Sequence, residues 1–397
     1  MKKNILFQKN LFLQGSIRSI SSFISAAFIL LSAHYLPFST FASLQINFSL
    51  AAIALWIGDF GLMNMMIIAK GMEDTTIYST AWVARNIGIL FVTTLLIVLM
   101  DSFHFSHFVF LLFLGSILDL YTDSLVSIRQ ISTSTKVSFW LQIGKKLSQT
   151  ILLVTLNSFS KGISVSQFFT IYSLPSALVI GYELINFRNP KVHNLRATLA
   201  SSFKIWIQNG GTALAGLDLW IISQLGGISV VPFISIGRRC NSVLGNIGTV
   251  LSIDFMHKAA LTKKINRIDL RRLIYFSAFA YVPIVVACLA AEPILLQVLR
   301  LHPNGIQLLV FRCVLLSGPL AIVTSSLNSM LLGLQSFRKA AAATFLSTAI
   351  YLPFFLLSGH LATIPIIFIF AWYANNLIEM MVEFVSLRPY IFIKGAI

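Results

Sequence analysis

The chain has 397 residues, of which 57% are hydrophobic and 11% are charged, with 29 Lys and Arg against 13 Asp and Glu. Soluble domains carry about 25% charged residues, so this composition excludes a soluble enzyme, a disordered chain and a collagen-like or coiled-coil fibre. A polytopic membrane protein remains. A net charge of +16 would indicate nucleic acid as the partner of a soluble protein. In a membrane protein, Lys and Arg collect in cytoplasmic loops, so we expect no nucleic-acid partner.

Apolar segments long enough to cross a bilayer, which takes about 20 residues, follow one another along the whole chain. We predict twelve membrane helices, which run approximately over Leu13–Leu36, Phe41–Ala69, Ser79–Met100, Phe105–Ile128, Val137–Asn157, Ile163–Phe187, Ala197–Leu225, Ser229–Phe255, Leu273–Ala291, Gly305–Leu332, Ala340–Ser358 and Ala362–Ser386. With a cytoplasmic N-terminus, nineteen basic residues fall in inner segments and only two, Lys161 and Arg300, fall in outer loops. This split follows the positive-inside rule and predicts that both termini are cytoplasmic.

The loop that holds Pro190 divides the predicted helices into two sets of six. We therefore expect two lobes with the same orientation, residues 1–190 and 191–397, as in transporters built from parallel repeats. The loops are too short to fold as a soluble catalytic domain. The chain has no nucleotide-binding or hydrolase motif, and its histidines and three cysteines lack metal spacing. We expect neither an enzyme nor a cofactor or metal site.

Eight basic residues fall inside the predicted spans, where a charge near the bilayer centre costs at least about 2.5–3.5 kcal/mol unless it meets water or a partner. They are Arg18, Arg85, Lys145, Lys146, Lys204, Arg238, Arg239 and Arg312. Those in the third and fifth spans lie near enough to the inner helix ends to snorkel. Acidic residues spaced four apart either pair with such bases or carry coupling protons or sodium, and we favour pairing. These acids are Asp119, Asp123, Glu379 and Glu383.

Polar or small residues recur on one face of several predicted helices. In the seventh helix they follow one another at spacings of four and three, which places them on a single face. They are Lys204, Gln208, Gly211, Ala215 and Asp218. The first helix repeats the pattern from Arg18 and the eighth from Arg238. Polar faces in lipid-embedded helices point into a bundle or a water-filled cavity, so we expect a hydrophilic cavity between the two lobes.

Three charged residues of the seventh and eighth helices fall near the bilayer midplane, where snorkelling is hardest. They are Asp218, Arg238 and Arg239, and their helices form a hairpin around Gly226 and Gly227. We predict that Asp218 pairs with one of the two arginines, either as a structural ion pair or as part of the cavity. Asp59, deep in the second helix, has no obvious local partner. It is the best single candidate for a titrating or cation-binding group.

Two short segments resemble a known family. Ile57–Leu62, which reads IGDFGL, and Leu217–Gln224, which reads LDLWIISQ, resemble the bacterial O-antigen and polysaccharide flippases. These belong to the multidrug/oligosaccharidyl-lipid/polysaccharide exporter (MOP) superfamily. The resemblance covers nearly the whole chain in layout and implies an all-α integral membrane protein, with about twelve transmembrane helices in two six-helix lobes around a central cavity. It also implies a place in the bacterial cytoplasmic (inner) membrane.

The resemblance further implies movement of an undecaprenyl-diphosphate-linked oligosaccharide, for O-antigen, capsule or another surface polysaccharide, from the cytoplasmic to the periplasmic leaflet by alternating access. Diphosphate oxygens need Arg or Lys donors. By the family's pattern these are Arg18, Arg238 and Arg239. Lys204 is a further candidate donor, and Arg312 is a candidate to take the headgroup as it leaves. Asp59 and Asp218 are the candidate coupling or cavity acids. Membrane lipids, a polysaccharide polymerase and a chain-length regulator are the candidate partners.

Other functions compete with this interpretation. A cation-coupled multidrug antiporter of the same superfamily would need an acidic, aromatic cavity. Here the charged residues deep in the predicted spans carry a net positive charge. A surface-polysaccharide polymerase, an enzyme with many helices, typically carries a large periplasmic loop that this chain lacks. The sequence leaves open which sugar repeat is moved and what drives the movement.

Overall fold

The computed structural model describes residues 20–71, 74–102, 107–132, 135–160, 163–186, 192–225, 227–241, 263–299, 301–334, 336–354 and 364–392. These residues are almost entirely helical. They fall into two compact units, one spanning Leu31–Trp220 and the other made of Ile221–Ile397 with the stretch before Leu31. The predicted lobes, with their boundary after residue 190, stay a prediction.

The part of the chain up to Gln224 forms nine helices among the residues described. They are α1 (Ile20–Tyr35), α2 (Phe38–Asp59), α3 (Leu62–Gly71), α4 (Thr75–Ser102), α5 (His107–Ser132), α6 (Thr135–Ser160), α7 (Val165–Asn186), α8 (Leu195–Ala215) and α9 (Asp218–Gln224). In the unit Leu31–Trp220, α2 packs against both α4 and α5, and α5 packs against α7. The apolar side chains between α2 and α5 include Ala51, Ala54, Phe113 and Ile117.

The second part adds six helices and two short strands. They are α10 (231–241), β1 (Ile265–Asn266), α11 (Arg267–Val298), α12 (Gly305–Leu316), α13 (Gly318–Gly333), α14 (Phe337–Phe354), α15 (Ile364–Leu387) and β2 (Ile391–Phe392). Here α15 packs against α14 and α13. The two strands pair in parallel, with Ile265 opposite Ile391, and so tie the end of α15 to the start of α11. Neither strand is predicted from the sequence.

Seven helices of the described residues are long and apolar enough to cross a membrane. Shorter apolar helices cover Ile20–Tyr35 and Ala213–Gln224. Twelve uninterrupted spans are predicted from the sequence. The second and tenth of these are represented among the seven although each contains a helix break, whereas the seventh is not.

In the part of the chain that the structure describes, three of the predicted spans contain a helix break. The second is divided between α2 and α3, where Phe60 and Gly61 adopt left-handed φ angles of 48° and 74°. The seventh is divided between α8 and α9 by a turn at Gly216 and Leu217. The tenth is divided between α12 and α13 at Ser317. Breaks in lipid need internal partners for the released backbone groups, and such points are where membrane proteins place function.

Candidate functional site

Arg85 on α4 is almost fully buried, with 2% of its surface exposed. Its Nε donates to Asp59 Oδ1 at 2.5 Å, and a terminal guanidinium nitrogen donates to the Ser124 hydroxyl on α5. The guanidinium also lies 5.2 Å from the centre of the Tyr121 ring. A buried arginine needs such a partner set, because an uncompensated charge in this environment is very costly.

Asp59 therefore has a partner that its own helix does not supply. Sequence analysis finds no local partner for it, but Arg85, which is 26 positions further along the chain, pairs with it. Asp59 also accepts a hydrogen bond from the Met63 amide, at 3.2 Å, and so caps the first turn of α3. Its carboxylate stabilises the break between α2 and α3 as well as the charge on α4.

Lys145 and Lys146 on α6 form a second buried ion cluster with α5. Lys145 Nζ lies 2.8 Å from both Asp119 Oδ1 and Asp123 Oδ1, and Lys146 Nζ lies 2.9 Å from Asp119 Oδ2. Gln149 adds an amide hydrogen bond to Asp119 at 2.7 Å. The predicted structural pairing is confirmed for these two lysines and two aspartates. Their charges are largely compensated within the cluster.

Arg312 on α12 also has an acidic partner. Its Nε and one terminal nitrogen donate to the two carboxylate oxygens of Glu292 on α11 at 2.9 and 2.8 Å. This is the two-pronged geometry that arginine prefers with carboxylates. The Glu292 side chain is buried, whereas the Arg312 side chain is 49% exposed. Glu292 is not predicted from the sequence, because the ninth predicted span ends at Ala291. The apolar run continues beyond that residue, and α11 extends to Val298.

Arg238 on α10 lies in a different environment. Its guanidinium carbon is 4.4 Å from the centre of the Trp372 ring and 5.9 Å from that of Phe368, both on α15. A cation over an aromatic face is attracted by the ring quadrupole. Such a contact stabilises the arginine but does not cancel its formal charge. This distinguishes the contact at Arg238 from the carboxylate pairs of Arg85 and Arg312.

The aromatic ring beneath Arg238 is held in place by several contacts. Trp372 Nε1 donates to the Ser317 hydroxyl at 2.8 Å, at the break between α12 and α13. Phe368 stacks on Trp372 with ring centres 5.9 Å apart, and Tyr351 meets it edge-on at 6.3 Å. Phe368 and Tyr351 are themselves 1% exposed. The ring is therefore a rigid surface rather than a mobile side chain.

The helix that carries Arg238, α10, is also held in place by contacts with its neighbours. A Cβ on Gly237 would lie 3.0 Å from a methyl carbon of Val314, so α10 approaches α12 closely there. The side-chain amide of Asn241 donates to the Val314 carbonyl, and the Tyr281 hydroxyl donates to Asn241 Oδ1 at 2.7 Å. Arg238, Trp372 and Ser317 form a small assembly, which we call the Arg238 site. The sequence indicates a role for Arg238 but not for Trp372, because the contact between the two residues joins helices that are far apart in the chain.

The remaining predicted residues are placed with less detail. Arg18 lies outside the described residues, and for Lys204 the structure describes only its backbone position on α8. Arg239 follows Arg238 on α10 and is half-buried. Asp218 is fully buried at the start of α9, where its carboxylate accepts from the Leu219 amide at 2.7 Å. Its pairing with an arginine stays a prediction.

The break before Asp218 also changes the predicted polar face of the seventh helix. The spacing argument assumes one continuous helix, but α8 ends at Ala215 and α9 begins at Asp218. Helical periodicity therefore relates the residues of α8 to one another, and it does not extend to Asp218. Among the described residues, no group of three or more His, Cys, Asp or Glu side chains could hold a metal ion.

Comparison with known proteins gives the fold. No sequence-family model matches the chain, and no curated protein matches it in sequence. A solved structure of the lipid II flippase MurJ in an inward-closed conformation matches with a TM-score of 0.68 and 14% identity, covering 97% of this chain and 87% of that one. A multidrug resistance MATE family transporter of the MOP superfamily, in an inward-facing conformation, matches with a TM-score of 0.67 and 12% identity, covering 96% and 98%.

A mutant of the Vibrio cholerae MATE transporter VcmN is similar at a TM-score of 0.65 and 14% identity, over 98% of this chain and 99% of that one. The chain has the fold of these solved transporter and flippase structures. The predicted all-α membrane fold is thereby confirmed over nearly the full length. At identities this low, the likeness concerns the fold and leaves the substrate to be argued from this chain's own residues.

Proposed function

We propose that this protein translocates undecaprenyl-diphosphate-linked oligosaccharide repeat units from the cytoplasmic to the periplasmic leaflet of the bacterial inner membrane by alternating access. The observation that carries the proposal is the Arg238 site, a guanidinium held over an indole ring inside the membrane-embedded part of the chain. A lipid diphosphate is an anion that must pass the bilayer centre, and guanidinium groups are its preferred donors.

The other deep charges support this assignment by contrast. Arg85, Lys145 and Lys146 have buried carboxylate partners, and Arg312 is engaged by Glu292. The guanidinium of Arg238 lies over the face of Trp372, in a cation–aromatic contact. We assign Arg238 the leading role in diphosphate binding, with Arg18, Lys204 and Arg239 as further donors. Arg312 would contact the headgroup as it leaves, and Asp59 and Asp218 stay the candidate coupling or cavity acids.

The comparisons support the same class of substrate. One structural neighbour is a lipid II flippase, so a fold of this type moves a lipid-linked molecule in at least that protein. The proposal needs no cofactor, no nucleic acid and no catalytic step. Its partners are the lipid-linked oligosaccharide, membrane lipids and, in a polysaccharide pathway, a polymerase and a chain-length regulator. A surface-polysaccharide polymerase is the less favoured alternative.

A cation-coupled multidrug antiporter is the second candidate, since MATE transporters are equally similar in fold. One observation in the chain favours it. Glu383 on α15 is a fully buried carboxyl group. A buried carboxyl of this kind suits a proton or a cation, which an antiporter would couple to drug export. The flippase proposal stands on the positive charge at Arg238, which would repel a cationic drug.

Deletion with complementation tests the choice. We expect the deletion mutant to lose surface polysaccharide and to accumulate lipid-linked repeat units on the cytoplasmic side. The wild-type gene should restore the glycan, whereas the double variant Arg238→Ala/Arg239→Ala at equal membrane abundance should not. A normal glycan profile in the deletion mutant, together with changed sensitivity to cationic drugs, would replace the flippase proposal with the antiporter.

A further inference from the structure

The contacts of the Arg238 site assign a role to a residue that does not itself need to touch the substrate. An arginine side chain has several rotatable bonds, and fixing them when a ligand binds weakens the affinity. Here the guanidinium already lies 4.4 Å above the Trp372 ring, and that ring is anchored to Ser317 by its indole N–H. The orientation of Arg238 is thus set before any ligand arrives.

We propose that Trp372 is a positioning residue that holds the Arg238 guanidinium in the orientation that binds the diphosphate of a lipid substrate. This rests on the proposed function. The indole face supplies the attraction, and the Ser317 hydrogen bond fixes the plane of the ring. Phe368 and Tyr351 support the ring from two further directions and keep it from rotating away.

The test measures binding of geranylgeranyl diphosphate to the purified full-length protein in detergent, with geranylgeranyl monophosphate as the comparison ligand. Trp372→Leu fills part of the volume but removes the aromatic face, and we expect it to weaken diphosphate binding about tenfold. Trp372→Phe keeps a face without the N–H and should restore most of the affinity. Ser317→Ala, which removes the anchor of the ring, should weaken binding by a smaller factor.

A double-mutant cycle separates positioning from general packing. In an Arg238→Ala background, Trp372→Leu should have almost no further effect on diphosphate affinity, because the group that it positions is gone. Equal effects in both backgrounds would overturn the positioning role while leaving the flippase proposal intact. If the wild type does not prefer the diphosphate to the monophosphate, both the positioning role and the proposed substrate fail.

A second, independent inference comes from the break between α2 and α3. Trp56 on α2 and Trp206 on α8 stack with ring centres 4.7 Å apart and planes within 5° of parallel. Each indole N–H donates to the backbone carbonyl of the other residue, at 3.1 and 3.0 Å. Phe60 and Phe203 extend the stack. We call these four residues the tryptophan clasp.

The two sides of the break differ in how they are held. Towards α4, Asp59 forms its ion pair with Arg85, and a Cβ on Gly58 would lie 2.7 Å from the Ile89 Cα. Those contacts are buried, charged and tightly packed. Towards α8, the described contacts include the ring stack, two hydrogen bonds, the close approach of Gly61 to Ser202 and Trp206, and the packing of Leu199 against the cluster Leu62, Met66 and Ala81. None of these contacts is an ion pair. The α8 side is thus the one that can separate without leaving a buried charge unpaired.

The position of the clasp in the predicted topology gives it a role. Trp206 lies in the cytoplasmic half of its predicted span, and Trp56 lies just past the midpoint of a helix that runs inward. In the structure both lie in the compact unit Leu31–Trp220, and in the predicted division of the chain they lie on opposite sides of residue 190. Alternating access requires the lobes to part on one side of the membrane at a time. We infer that the tryptophan clasp is a cytoplasmic gate, closed in this structure, that opens when α8 leaves α2 and α3.

Cross-linking tests the gate in a full-length protein whose native cysteines Cys240, Cys288 and Cys313 are replaced and which still complements. A short bis-methanethiosulfonate should join Trp56→Cys to Trp206→Cys and abolish transport, and reduction should restore it. Undiminished transport by the cross-linked protein would overturn the gate. A parent protein without any transport would instead count against the proposed function, on which the gate also depends.

Labelling gives a second measurement that needs no cross-link. A cysteine at Ser202, which is buried beside the break, should react slowly with a membrane-impermeant maleimide added from the cytoplasmic side. Trp56→Ala and Trp206→Ala should each speed its labelling about tenfold or more, and the double variant should add little, since the two rings act as one unit. Trp140→Ala is the matched control, because that tryptophan is 70% exposed on α6, and it should change nothing. Unchanged labelling in both clasp variants would contradict the gate.

Discussion

Individual buried charges in this protein are stabilised in two physically different ways. Arg85 and the lysines of α6 meet carboxylates on neighbouring helices, which compensate their charge. Arg238 meets an aromatic face, which attracts the cation. In a low-dielectric environment, removing one member of an ion pair is far more costly than removing a surface charge. The two kinds of site therefore respond differently to mutation.

The ion pair of Asp59 and Arg85 gives a stability prediction. Asp59→Asn removes the charge that compensates a buried guanidinium, so we expect the free energy of unfolding to fall by about 3 kcal/mol. Asp74→Asn is the control, because Asp74 caps α4 through the Thr76 and Ile77 amides and asparagine caps equally well. Unfolding of the detergent-purified proteins measures both. An equal loss in the two variants would mean that the ion pair contributes nothing specific.

The partner of Arg312 gives a prediction on binding. Because Glu292 engages Arg312 through both carboxylate oxygens, two of the N–H donors of Arg312 are already used. Arg312→Ala should change the affinity for geranylgeranyl diphosphate less than about twofold, whereas Arg238→Ala should weaken it about tenfold or more. Direct binding to the purified protein measures both. A larger loss with Arg312→Ala would move the diphosphate site from α10 to α12.

For individual residues, the sequence predicts ion pairs only where the spacing of charged residues along one helix indicates a charged face. The four-residue spacing of Asp119 and Asp123 indicates an acidic face, and the pairing with the lysines of α6 is confirmed. The partner of Asp59 comes from another helix, which no local pattern encodes. The contact of Trp372 is equally hard to predict, since nothing in the sequence of an apolar helix shows which of its aromatic residues contacts a cation.

Among the helices, breaks rather than continuous spans position the functional groups. The break between α2 and α3 carries Asp59 and one side of the tryptophan clasp, and the break between α12 and α13 carries the Ser317 anchor of Trp372. Hydropathy predicts such segments as single spans, because a break of one or two residues barely lowers the mean hydropathy of the whole segment. Gly61 is the local signal at the first break, but glycine is also common in intact membrane helices.

The conformation of Gly61 gives a prediction for that break. Its φ of 74° disfavours any side chain, and a Cβ there would lie 2.8 Å from the Trp206 backbone nitrogen. We expect Gly61→Ala to lower the free energy of unfolding by about 1–3 kcal/mol. Gly144→Ala on α6 is the control, since its Cβ would meet nothing within 4 Å and alanine favours a helix interior. A loss in both variants, or in neither, would show that the break does not depend on this glycine.

Across the whole molecule, the net charge of +16 is interpreted through the predicted topology. In that topology nineteen basic residues fall in predicted cytoplasmic segments, where the positive-inside rule is sufficient to explain them. Of the bases inside the predicted spans, the structure gives carboxylate partners to Arg85, Lys145, Lys146 and Arg312. The all-α membrane fold class follows from such averages. The substrate site depends on contacts between distant helices, which averages do not contain.

The central claim is that this chain moves a lipid diphosphate across the membrane, and reconstitution tests it most directly. The purified protein is placed in liposomes that hold a fluorescent undecaprenyl-diphosphate oligosaccharide in one leaflet, and a membrane-impermeant quencher reports its arrival in the other. We predict rapid exchange with the wild type and exchange at least about tenfold slower with Arg238→Ala. Lipid that stays in its original leaflet, while the same liposomes transport a cationic dye against a proton or sodium gradient, would contradict the account.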